Sequence, residues 1–60
     1  MNHRARMEQK IERIVELEYD LLDMRLINHQ INQDTYTEEA RAIDEWARES
    51  YADLAMKDVA

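Results

Sequence analysis

Glu18, Arg25 and His29 share one side of an otherwise apolar helical stretch, within about 40° of one another on a helical wheel. Three roles suit such a trio: a ligand or metal site, a structural ion pair, or plain partial exposure. Glu18 and Arg25 are seven residues apart, beyond the reach of an intrahelical pair. In an antiparallel homodimer, however, Glu18 would meet Arg25 of the second chain, twice by symmetry. A pair of that kind favours one partner geometry more than it adds stability. Metal chemistry has little to build on. The only two histidines, His3 and His29, lie at opposite ends of the segment, and no His-Glu-Xaa-Xaa-His element occurs. Asp20 with Asp23 and Glu38 with Glu39 are acidic pairs of a kind that any helix surface carries. Ser50 is the single serine and has no base at helical spacing. With no Cys and no Gly there is no thiolate ligand, no phosphate-cradling loop and no nucleophile elbow. The expectation is a protein that is not an enzyme and that needs no cofactor or metal.

The elements that must position these residues are helices. Gly and Pro are both absent from the 60 residues, which removes the usual punctuation of tight hairpins between strands. Residues from about 4 to 31 predict one long helix, rich in Glu, Leu, Arg, Met and Ile. Residues from about 37 to 57 predict a second, with a polar turn over about 32–36. Thr35-Xaa-Xaa-Glu38 fits a capping box, and Thr37 is a competing cap with Glu38 and Glu39 in the first turn. A single extended helix running through the break is the alternative. The expected fold is an all-α antiparallel hairpin forming one domain.

Apolar coverage differs between the two helices. The second gathers Tyr36, Ala40, Ile43, Trp46, Ala47, Tyr51 and Leu54 into an arc of about 140°, one ordinary buried face. With Val15, Leu22 and Leu26 of the first helix, Tyr36, Ala40, Ile43, Trp46, Ala47 and Leu54 form the expected hairpin core. The first helix spreads its apolar residues over about 240°, more than one partner helix covers. The remainder reads as a coiled-coil seam: Ile14, Leu17, Leu21, Met24, Asn28 and Ile31 follow alternating steps of three and four. Asn28 falls at an a position, where a polar side chain sets register. With Glu18 and Arg25, this seam is the expected interface, and two hairpins joined through it make a four-helix bundle. The energetics agree. Ordering the chain costs roughly 90 kcal/mol, and burying about 3,500 Å² of apolar surface returns a similar amount. A disulfide-free chain of this size gains what it lacks from a partner, and its own copy is the nearest one.

Charge is asymmetric. The net charge of −6 combines a slightly basic start, with Arg4, Arg6, Lys10 and Arg13 against Glu8 and Glu12, and a strongly acidic remainder. Arg6, Lys10 and Arg13 fall within about 60° of each other, a local basic strip. Wholesale nucleic-acid binding is disfavoured by the scarcity of Lys and Arg. An acidic polar face argues against a membrane surface, and no apolar run approaches the length of a membrane span or a signal peptide. A cytoplasmic protein is therefore expected.

The stretch Asp34-Thr35-Tyr36-Thr37-Glu38-Glu39-Ala40 resembles the turn of SHOCT-type short helical hairpins, in which a Thr-Xaa-Glu-Glu start follows a Gly-containing turn. That Gly is missing here, and the resemblance implies a hairpin and no function. The proposed dimer is similar in architecture to the Rop-type RNA-binding bundle, without a shared motif. Size and acidity resemble small phage-encoded inhibitors of host enzymes, some of which imitate DNA. The expected function is protein–protein interaction, as an adaptor or inhibitor that homodimerises and binds a second protein. Three alternatives accompany it: a DNA mimic presenting Asp34, Glu38, Glu39, Asp44, Glu45, Glu49 and Asp53; a Rop-like RNA-binding bundle; and a structural subunit of a larger assembly.

Overall fold

A computed structural model describes residues 3–59, with side chains described as far as Met56. The chain is a two-helix hairpin: α1 spans His3–Ile27 and α2 spans Gln33–Val59. Arg25 in the last turn of α1 and Asp34 in the first turn of α2 each suit the dipole at their helix end.

The turn lies earlier than the sequence pattern predicts. The first helix stops at Ile27 instead of running to 31, and the turn occupies residues 28–32 instead of 32–36. His29 causes the stop: its φ of 61° is left-handed, a conformation a helix cannot propagate. The Gln30 N–H donates to the Arg25 carbonyl at 2.9 Å and the His29 N–H to the Leu26 carbonyl at 3.1 Å. These are the paired closing bonds of a Schellman motif, with histidine where glycine is usual. Asn32 starts the next helix. Its Oδ1 accepts the Thr35 N–H at 2.8 Å, and its carbonyl accepts the Tyr36 N–H at 3.0 Å. Neither Thr35 nor Thr37 is the cap. Thr37 is already inside the helix, where its hydroxyl donates back to the Gln33 carbonyl at 3.0 Å.

Two packed helices make one layer, and one layer buries little. The Cα trace measures 45 × 19 × 8 Å. Only Ile11, at 6% exposure, and Leu22, at 3%, count as buried among the described residues. The accessible surface is 5106 Å², against about 4,200 Å² for a compact chain of this mass. The radius of gyration is 14.2 Å, where about 10 Å is usual for 60 residues and about 14 Å for 120. The hairpin thus has the radius of gyration of a compact domain twice its size.

Candidate functional site

The two faces of the hairpin differ. Tyr19 and Tyr36 close one of them. The Tyr19 hydroxyl donates to Asp44 Oδ1 at 2.7 Å and also lies 3.3 Å from the Ala40 carbonyl. The Tyr36 hydroxyl donates to Asp23 Oδ1 at 2.7 Å. Each bond runs from one helix to the other, in opposite senses, so the two rungs are pseudo-symmetric. Hydrogen bonding to the carboxylate pushes both phenol pKa values up, with loss of hydration as the lesser cause. Tyr51, nearer the open end, is also pushed up, chiefly by lost hydration and then by Glu12 and Glu8. Arg41, Glu45 and Arg48 border the same face.

The other face is open and apolar. Asp23 lies nine residues from Ile14 and therefore half a turn round α1 from it. On the Ile14 side a shallow groove runs between the helices. At the open end Met7 and Lys10 of α1 face Ser50 and Asp53 of α2; midway Ile14 meets Trp46 and Glu18 meets Ala42 and Ile43; at the turn end Leu21 and Arg25 face Glu39. Large apolar side chains stand out of it: Ile14 is 42% exposed, Leu17 57%, Leu21 58%, Met24 58% and Trp46 41%. Four of the six expected seam residues are therefore on one exposed helical stripe. Asn28 and Ile31 are not: both lie beyond the end of α1, in the turn, so Asn28 has no a position to occupy.

The expected core divides. Leu22 is buried; Val15, Leu26, Tyr36, Ala40, Ile43, Ala47 and Leu54 are half-buried, while Trp46 is exposed on the groove. Trp46 and Tyr51 bound the α2 arc at opposite edges, and a single neighbouring helix does not cover both. Ile11, outside that expected set, is one of the two buried anchors.

The trio of Glu18, Arg25 and His29 does not assemble. His29 is in the turn, and the Arg25 guanidinium reaches across to Glu39 Oε1 at 3.1 Å. Both partners of that pair are substantially solvent-accessible, so it fixes geometry more than it contributes stability. Glu39 Oε2 is enclosed without a hydrogen-bond partner. Of the seven acidic residues expected on a partner surface, Asp44 is engaged by Tyr19 and Glu39 by Arg25. Asp53 borders the groove, and Asp44 and Glu45 share their surface with Arg41 and Arg48. The seven carboxylates do not form one uninterrupted row.

Among the described residues no group of three His, Asp or Glu side chains is placed to hold a metal ion, and no helix is long and apolar enough to cross a membrane. No protein-family model, curated protein or solved structure matches this chain.

Proposed function

We propose that this chain is a non-enzymatic interaction module that homodimerises into a four-helix bundle and, in that form, binds a second protein as an adaptor or inhibitor. One observation carries the reading: the apolar stripe Ile14, Leu17, Leu21 and Met24, with Trp46 across the groove, is exposed in a hairpin that has almost no core of its own. Monomeric proteins seldom leave a contiguous stripe of this kind uncovered. The areas support self-association. Surface in excess of a compact chain is about 900 Å², close to the roughly 800 Å² that each partner contributes to a standard interface.

Sedimentation equilibrium combined with Trp46 emission tests the dimer. The expected result is a dimer at micromolar concentration, with emission shifting to the red on dilution as Trp46 becomes hydrated. A folded monomer throughout that range would overturn it. Affinity capture with the wild-type chain and with a Leu17→Gln, Leu21→Gln variant tests the second partner: specific retention by the wild type is expected, and retention of nothing but the chain itself would refute the adaptor role.

A further inference from the structure

The charges along the groove carry information about how a second copy sits on it. On α1 the exposed stripe is basic at the open end and apolar toward the turn: Arg6, Lys10 and Arg13 run into Leu17, Leu21 and Met24 at helical steps of three and four. On α2 the stripe through Ala42 and Trp46 continues at the open end as Glu49 and Asp53. Lys10 and Asp53 border the same stretch of groove from opposite banks. Among the described residues, Arg6, Lys10, Arg13, Glu49 and Asp53 make no ion pair. The α1 bank therefore carries Lys10, with Arg6 and Arg13 beside it on the outer side of α1 near Glu12 and Glu16, and the α2 bank carries Asp53 with Glu49 one turn away, at the same height along the hairpin.

Two ways of stacking the groove faces are symmetric. With the turns at opposite ends, α1 lies over α1 of the other copy. The basic end of each α1 then faces the far end of its counterpart, where the charged groove residues are Glu18 and the already paired Arg25 and Glu39, so it meets fewer free carboxylates than in the other stacking. With the turns at the same end, α1 of each copy lies over α2 of the other at matching height. Arg6, Lys10 and Arg13 then face Glu49 and Asp53, twice by symmetry, and Ile14 faces Trp46. In both stackings neighbouring helices run antiparallel, so the helix dipoles do not choose between them. Charge complementarity does. It matters here because two chains of net charge −6 repel unless the docking face itself is balanced.

We propose, building on the homodimer reading, that the groove is covered by a second copy with its turn at the same end. The Arg6, Lys10, Arg13 strip of each chain docks against Glu49 and Asp53 of the other.

The test uses the full chain and three variants. Lys10→Glu with Arg13→Glu, and separately Glu49→Lys with Asp53→Lys, should each raise the dimer dissociation constant at least tenfold. An equimolar mixture of the two should restore association to near the wild-type level. Glu49→Lys with Asp53→Lys lowers the net charge from −6 to −2, so weakened self-association of that variant cannot come from net-charge repulsion. The chain has no Cys, so Gln30→Cys supplies a unique spin-label site in the turn. Same-end docking places the two labels about one helix-packing distance apart, near 10 Å before the label arms are added. Opposite-end docking places them near the full 45 Å of the hairpin. A dimer with the long distance, or charge-reversed variants that do not rescue each other, would overturn the same-end inference while leaving the dimer standing. A monomer at all concentrations would overturn both.

Discussion

Tyr19 and Asp44, 25 residues apart in sequence, are joined by a 2.7 Å hydrogen bond in which the phenol donates and the carboxylate accepts. Tyr36 and Asp23 repeat the bond in the other direction. A phenol held in this way resists ionisation, so the folded chain binds its protons more tightly than the unfolded chain. Stability from these bonds is complete below the ordinary tyrosine value near 10 and is lost as pH rises through the higher folded values. Urea titrations above neutral pH should therefore show a midpoint that falls in the alkaline range. In Tyr19→Phe with Tyr36→Phe that alkaline fall should shrink; an unchanged profile would show that the rungs contribute nothing.

His29 holds a left-handed backbone at the place where glycine ends most helices. His29→Gly relieves the Cβ crowding and should stabilise the hairpin by about 0.5–1 kcal/mol, after allowing for the greater freedom of glycine in the unfolded chain. The measurement is a urea midpoint at fixed protein concentration, which should rise with the slope unchanged.

Asn32, not Thr35 or Thr37, satisfies the free N–H groups at the start of α2. Asn32→Ala should cost about 1 kcal/mol. Thr37→Ala should cost less, since its exposed hydroxyl bonds only Gln33 of its own helix, donating to the carbonyl and accepting weakly from Nε2. Equal losses in the two variants would contradict the capping assignment.

Leu22 and Leu17 separate packing within the hairpin from packing between hairpins. Leu22 is 3% exposed and Leu17 57%. Leu22→Ala should destabilise by roughly 3 kcal/mol at any protein concentration. Leu17→Ala should lower the melting temperature chiefly by weakening association, so raising the protein concentration should recover it. Thermal melts across a hundredfold dilution series distinguish the two behaviours.

The stripe through Ile14, Leu17, Leu21 and Met24 is legible in the sequence because helical periodicity alone places those residues together. The turn is less so. Without Gly or Pro, nothing in the residue types marks His29 as the left-handed position, and threonines in plausible cap positions outshine the asparagine that does the capping. Trp46 misleads for a different reason. Periodicity shows that it shares an arc with Ile43 and Leu54, whereas the width of one neighbouring helix decides which edge of that arc stays open. The Tyr19–Asp44 and Tyr36–Asp23 rungs depend on the register between the helices, which no single-helix pattern contains.

Ile11 and Leu22, the two buried side chains among the described residues, are eleven residues apart on α1, about 16 Å along its axis. A single pin would leave the helices free to scissor about it. Two, three turns apart, define a line and forbid that rotation, much as a hinge needs only one nail to swing but two to lock. Truncating Leu22 would leave the turn end held by polar contacts such as Tyr36–Asp23 and Arg25–Glu39, so the crossing angle would be set less firmly there than at Ile11.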